Sequence, residues 1–324
     1  MLKPKVKEIK TKNLDTKRFI EEQIRNIKNL AGDKPAILAL SGGVDSSVVA
    51  VLGHRALGNQ LRIVFIDNGL MRENEPRQVV KTFEKLGIPV EVIDAKKEFF
   101  SALEGLDMPE DKREAITQTF YRDVFGRIVR ESGASSLLQG TIYTDIEETV
   151  AGIKRQHNVF EQIGIDPVTE FGYVIIEPIV RLRKDGVRKL AKALKLPKSV
   201  YGRIPFPGPA LAARIIGEVG PQNIKLIRKA TAITEKILRS TKAFQYMAIL
   251  HKDMATGIVR GERKFGLQIE IRCWNSIDAR KAKPTKVPWN TLFRLARKIT
   301  EEIPDVVSVT YNITEKGPST MEAI

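Results

Sequence analysis

The run Ala36-Ile37-Leu38-Ala39-Leu40-Ser41-Gly42-Gly43-Val44-Asp45-Ser46-Ser47 constrains this chain more than any other stretch. A short apolar segment suited to a buried parallel strand breaks into a turn of small residues, and Val48-Val49-Ala50-Val51-Leu52 continues as an apolar helix. Paired glycines let the backbone approach a bound group closely, and the flanking serines offer hydroxyl donors. The helix points its unpaired N–H groups and positive dipole end back at the turn, an environment for an anion. Asp45 conflicts with a bare phosphate, and Mg²⁺ held between the carboxylate and phosphate oxygens removes the conflict. The turn therefore reads as a site for Mg-pyrophosphate or Mg-ATP, bound by Ser41, Gly42, Gly43, Val44, Asp45, Ser46 and Ser47 with Asp45 as metal ligand. A Walker A loop is excluded, because its Gly-Lys-Ser/Thr ending is absent.

A glycine-serine turn between strand and helix is common by itself. The full string Ser-Gly-Gly-Val-Asp-Ser-Ser is far more specific and resembles the PP-loop of the N-type ATP pyrophosphatases. The resemblance implies cleavage of ATP between its α- and β-phosphates, adenylylation of a substrate oxygen and release of pyrophosphate.

Periodicity along the chain predicts a helix from Thr16 to Leu30 and strands beginning at Ala36 and covering Leu61–Ile66, Pro89–Ile93, Ser135–Gly140 and Tyr173–Pro178. Helical patterns at Glu75–Leu86, Pro109–Glu131 and Asp185–Leu194 separate most of them. This alternation predicts an α/β fold with a doubly wound parallel sheet, whose ligands lie beyond the carboxyl ends of the strands. Ser41, Asp67 and Gly140 all fall there. After Leu196 the texture changes. The stiff turn from Arg203 to Ala210 reads as a hinge, followed by a helix at Pro221–Arg239, strands near Phe244–Leu250 and Phe265–Cys273, a helix at Trp289–Glu302 and a strand at Asp305–Ile313. Two domains are expected, 1–208 and 209–324, the second a smaller α+β unit whose apolar strands are suited to pairing with a second copy.

The net charge is +15 over 324 residues. Nucleotide or nucleic-acid partners account for such a charge, as does a merely lysine-rich surface. Cys273 is the single cysteine, which rules out an internal disulfide and fits a reducing compartment, so the cytoplasm is expected. No apolar run approaches a membrane span, and the lysine-rich start lacks the apolar segment of a secretory signal.

From about Phe19 onward the sequence resembles the ATP pyrophosphatase part of GMP synthetase. Val64-Phe65-Ile66-Asp67-Asn68-Gly69-Leu70 resembles that family's second strand, and Gln139-Gly140-Thr141-Ile142-Tyr143-Thr144-Asp145 its strand-four motif. Ile153-Lys154-Arg155-Gln156-His157-Asn158-Val159 is similar to its lid, Pro205-Phe206-Pro207-Gly208-Pro209 to its interdomain turn, and Lys316-Gly317-Pro318-Ser319-Thr320-Met321-Glu322 to its C-terminal substrate loop. The resemblance implies an adenine nucleotide alpha hydrolase-like fold with a C-terminal dimerisation domain. It implies adenylylation of XMP at its C2 oxygen, and displacement of AMP by ammonia to give GMP. It also implies a homodimer with a separate glutamine amidotransferase subunit, because no amidotransferase segment is seen here.

Individual roles follow from the residues and this resemblance together. Asp145 and Glu148 are three apart, so on a helix both carboxylates share a face and either orient Mg²⁺ or assist proton transfer from ammonia; an acidic solvated turn has the same pattern. Lys154 would neutralise charge on departing pyrophosphate. Arg113, Lys316 and Thr320 are expected on the nucleotide 5′-phosphate, Glu322 on the ribose or base, and His157, Asn158 and Arg203 among the substrate contacts. The departures from the family pattern lie on the substrate side: Thr117, Gln156, Ala210, Gly317 and the Ala323-Ile324 ending. A related enzyme of the same chemistry, activating a base in RNA, is the alternative that the basic charge favours.

Overall fold

The structure, a computed structural model, describes residues 6–150, 174–202, 206, 208–259, 261–276 and 281–317. The chain divides into two compact units that are not contiguous in sequence. The first comprises Met1–Asp67, Glu75–Asp94 and Phe120–Arg203, the second Asn68–Asn74, Ala95–Thr119 and Ile204–Ile324. A single cut at 208 does not describe them, because the chain makes two excursions into the second unit before entering it for good.

The first unit opens with helix α1 (Thr16–Ala31), which starts where the Asp15 carboxylate accepts from Arg18 N at 3.1 Å. Phe19, Gln23, Ile27 and Ala31 recur every four residues and form its buried stripe. Strand β1 (Ala36–Ala39) and helix α2 (Val44–Leu57) follow, then β2 (Leu61–Asp67), α3 (Glu75–Glu84) and β3 (Glu91–Asp94). Next come α4 (Lys96–Leu103) and α5 (Pro109–Gln118), which belong to the second unit. Helix α6 (Gly126–Ser132), β4 (Ser136–Leu138), α7 (Tyr143–Val150), β5 (Val174–Ile176), α8 (Lys184–Ala193) and α9 (Lys198–Tyr201) complete the first.

All five strands are parallel, in the order β3-β2-β1-β4-β5. From β1 the chain winds outward through β2 and β3, then returns to place β4 on the other side of β1, with Ala36 opposite Ser136. The reversal opens a crevice between the carboxyl ends of β1 and β4, where ligands bind in sheets of this kind. The helical run expected over Pro109–Glu131 forms without a break, but its middle is not α-helical. Thr119–Phe125 is a π-helix between α5 and α6. Its wider turn, closed by bonds five residues apart, leaves Phe120 and Phe125 near one face, rings stacked with centroids 6.2 Å apart.

In the second unit, helix α10 (Pro221–Leu238) and helix α11 (Trp289–Glu302) accompany the long antiparallel hairpin β6 (Gln245–Val259) and β7 (Glu262–Ser276). Strand β8 (Ala282–Pro284), too short to show in the sequence pattern, and β9 (Val306–Tyr311) pair with β7, the latter in parallel. The early excursions are stitched here by polar contacts no hydrophobic pattern reveals. Arg228 donates to Met71 O at 2.8 Å and Gly69 O at 2.5 Å. Lys112, fully buried, donates to Ile215 O at 3.1 Å and to Gly217 O. Asp107 pairs with Lys252 at 2.6 Å.

Ala210, one of the departures from the family pattern, lies at φ 55. An alanine there carries a left-handed conformation of about 1–2 kcal/mol strain, which a glycine would avoid. Across β6, β7 and the end of β9, Glu270 accepts from Arg272 Nε at 2.6 Å and Asn312 Nδ2 at 2.8 Å, and its other oxygen is 2.7 Å from His251 Nε2. Burial pushes this carboxyl up, but the bonds from Arg272, Asn312 and His251 hold it below its ordinary value. No helix among the described residues is long and apolar enough to cross a membrane.

Candidate active site

The turn after β1 stays in the sheet through Leu40 N, which donates to Val64 O at 2.8 Å, and then reverses at Gly42 with φ 74. That left-handed value is open to glycine at no steric cost. The serine hydroxyls hold the loop in shape: Ser41 Oγ lies 2.9 Å from Ser46 Oγ, Ser41 N donates to Ser46 Oγ at 3.2 Å, and Ser47 Oγ donates to Gly43 O at 2.7 Å. Gly43 is the N-cap of α2 and provides no side-chain cap. The first-turn amides of Val44, Asp45 and Ser46 therefore face the loop mouth without intrahelical acceptors, with the positive end of the dipole behind them.

Gly140, just past β4, closes the crevice from the other side. A Cβ there would stand 3.1 Å from Ser46 N and 3.3 Å from Asp45 C, closer than ordinary van der Waals contact. The two loops at the switch point touch backbone to backbone, so this position suits glycine for a steric reason. Thr141 Oγ1 donates to Glu177 Oε1 at 2.7 Å and Gln139 N to Ile176 O at 2.9 Å, which ties the strand-four motif to β5. Asp145, in the first turn of α7, accepts from Ile142 N at 2.9 Å.

Asp45 is the electrostatic centre of the arrangement. Its Oδ2 receives Lys184 Nζ at 2.5 Å, while its Oδ1 is buried with no hydrogen-bond partner among the described residues. Burial, the largest influence, raises its pKa; Lys184 and Arg188 pull it down, and Asp145 adds a further upward push. Lys184 and Arg188 are four apart on α8, on one face, and the Nε of Arg188 is likewise buried without a partner among the described residues. Two cations thus stand beside a carboxylate and a row of helix amides. The residues fit a polyphosphate with one metal ion: Asp45 Oδ1 has no partner among the described residues, and Lys184 and Arg188 stand beside it against the single further carboxylate of Asp145. Among the described residues no cluster of three or more His, Cys, Asp or Glu side chains assembles. Mg²⁺ is suited to such a place, since it usually takes one or two carboxylates and fills its octahedron with phosphates and water.

Sequence reading missed Lys184 and Arg188. The signal was present as an i, i+4 pair of basic residues just after β5, where a parallel strand delivers its loop to the ligand edge. Asp67 ends β2, as expected. Arg113 lies exposed on α5, with Thr117 Oγ1 donating to its carbonyl at 2.8 Å, and Lys316 N donates to Ala282 O at 3.1 Å; both belong to the second unit. Lys154, His157, Asn158, Arg203, Thr320, Glu322 and the side chain of Glu148 lie outside the described residues.

A parallel sheet with a glycine-serine turn, a helix N-terminus and a lone buried carboxylate oxygen at its switch point defines a PP-loop nucleotide-binding protein. Comparison with known families agrees and goes further. Residues 15–123 match the NAD synthase family and residues 232–323 the GMP synthase C terminal domain. A subunit of the glutamine-hydrolyzing GMP synthase of Pyrococcus horikoshii is 44% identical over 312 residues, covering 95% of this chain and 99% of that one. The corresponding GMP synthase subunits of Archaeoglobus fulgidus (45% over 310 residues) and Methanocaldococcus jannaschii (44% over 313) are covered to the same extents. The chain belongs to this family of GMP synthase subunits.

Proposed function

We propose that this chain is the synthetase subunit that converts XMP to GMP, using ATP and ammonia delivered by a separate glutaminase subunit. The observation that carries the reading is the complete PP-loop, with Asp45 Oδ1 unpartnered among the described residues and Lys184 and Arg188 at its side, in a chain with GMP synthase relatives along 95% of its length. The α2 amides would bind the phosphates, and Asp45 Oδ1 would hold Mg²⁺, which supplies charge neutralisation on the phosphate oxygens. The XMP C2 oxygen attacks the α-phosphorus and pyrophosphate departs. Ammonia then attacks C2, loses a proton, and AMP leaves with the former C2 oxygen. Lys184 and Arg188 stabilise the negative charge that builds on departing pyrophosphate, an interaction strongest in the transition state. Lys154 is assigned the same task from the lid. Asp145 and Glu148, three apart on α7, would orient the metal nucleotide or take the ammonium proton.

Arg113, Lys316 and Thr320 are proposed on the 5′-phosphate of XMP, with Glu322, His157, Asn158 and Arg203 completing its contacts. The exposed Trp289 and Phe293 on α11, with ring centroids 5.8 Å apart, support pairing of second units in a homodimer. The RNA-directed alternative has no comparable support. It rests on net charge, and part of that charge is accounted for by cations facing a polyphosphate site.

The purified chain is expected to make GMP from ammonium salts and to be inert with glutamine. Its rate at fixed total ammonium should climb with pH toward the ammonium pKa, because only free NH₃ is nucleophilic. Product chromatography across a pH series with both donors checks this; glutamine-dependent synthesis by the single chain would contradict it.

A further inference from the structure

We propose that Arg183 is a positioning residue that locks α7, which carries Asp145, to the loop that carries Lys184, with the N-terminal segment as the third point of the clasp. The inference rests on the pyrophosphatase reading of the Asp45 site. Arg183 is the N-cap of α8, in an extended conformation (φ −85, ψ 171), so its side chain and that of Lys184 diverge. Lys184 reaches Asp45. Arg183 turns the other way: Nη2 donates to Glu147 Oε1 at 2.5 Å, Nε to Glu8 Oε1 at 3.0 Å, and its guanidinium carbon lies 5.1 Å from the Tyr143 ring centroid. Tyr143 and Glu147 are four apart on α7, one above the other on a single face, so one planar fork grips the helix at two levels.

The backbone repeats the connection. Tyr143 N donates to Leu182 O at 2.9 Å, one residue before Arg183. From the other side Ile9 N donates to Arg181 O at 2.9 Å, Arg181 Nε to Lys7 O at 3.1 Å, Thr11 Oγ1 to Asp185 Oδ2 at 2.6 Å and Lys189 Nζ to Leu14 O at 2.8 Å. The segment 7–14 thus braces the whole 181–189 stretch. Lys184 lies 2.5 Å from Asp45 Oδ2 and α7 carries Asp145 in its first turn, so the spacing between α7 and the 183–184 corner sets where these two side chains stand in the site. Arg183 spans this gap. With 38% of its side chain exposed and Glu147 at 45%, the pair adds little to global stability. Its consequence is geometric.

The test is a double-mutant cycle with Arg183→Ala, Glu147→Ala and the double variant, and Glu147→Gln as the shape-preserving control. Two readouts are taken: steady-state pyrophosphate release with XMP and ammonium, and amide hydrogen exchange over Tyr143–Asp145 in the substrate-free protein. Each single variant should lose about ten- to a hundred-fold in kcat, the scale of small misplacements, with KM for XMP within about twofold and a Tm shift under about 3 °C. Exchange over Tyr143–Asp145 should quicken in each, and the double variant should be no worse than the poorer single. Wild-type kcat and exchange in Arg183→Ala, or losses that multiply in the double variant, overturn the proposal. The exchange readout needs no substrate. A parent protein that releases no pyrophosphate with XMP would therefore count against the function and leave the positioning test standing.

Discussion

Asp45→Asn is expected to abolish turnover, by at least about 10³-fold in kcat, while the protein folds as well as the parent or better. The activity loss follows from Asp45 Oδ1, the buried oxygen without a partner among the described residues. An amide oxygen of the same shape is a weak ligand for a hard dication, and the several kcal/mol of charge stabilisation tied to the metal nucleotide goes with it. The stability expectation has the opposite sign for an electrostatic reason. Burial raises the Asp45 pKa above its ordinary value, so the folded state holds that proton more tightly than the unfolded chain does. Stability from this group therefore falls as pH rises from the unfolded value through the folded one, and the penalty is complete once the pH is above the folded value. Asparagine has no charge to desolvate. Thermal melts at pH 7 alongside pyrophosphate assays check both halves; a folded Asp45→Asn enzyme with parental kcat would remove Asp45 from the mechanism.

Lys184→Met should cost about 10²–10³-fold in kcat, the range seen when a preorganised charge is removed from a developing anion. Its Nζ lies 2.5 Å from Asp45 Oδ2, so it has a second effect. Lys184 pulls the Asp45 pKa downward; without it, the carboxyl holds its proton to higher pH. Since the ionised carboxylate is the form that binds metal, the acid limb of the kcat/KM profile should move to higher pH in Lys184→Met. Lys184→Arg should recover part of kcat and return the limb toward the parent. A profile unchanged in Lys184→Met, with kcat within a few-fold of the parent, would show that the ion pair plays no part in the site.

The five-stranded sheet was legible because buried strands and amphipathic helices leave periodic apolar patterns, and the switch-point loop because glycine, serine and aspartate together are rare there. Helix starts at Thr16, Glu75, Pro221 and Trp289 were readable to the residue from caps and prolines. What stayed hidden is long-range and polar. Nothing near Gly69 announces that Arg228 will hold its carbonyl, and nothing near Lys112 announces that a lysine will be buried against Ile215 and Gly217. The excursions of the chain between units were invisible for that reason. The π-helix was hidden because Thr119–Phe125 has the composition of any helix. Asp45 was legible from its motif, but the cations that tune it come from α8, about 140 residues later, and only the fold brings them together.

The central claim is that this site activates an XMP oxygen with ATP. Incubating the protein with ATP, ammonium and XMP labelled with ¹⁸O at C2, and reading the products by mass spectrometry, tests it directly. The account predicts GMP, pyrophosphate and AMP, with the label carried into the AMP phosphate, because the C2 oxygen bonds to the α-phosphorus and leaves with it. Formation of ADP and inorganic phosphate, or GMP accompanied by unlabelled AMP, would contradict it.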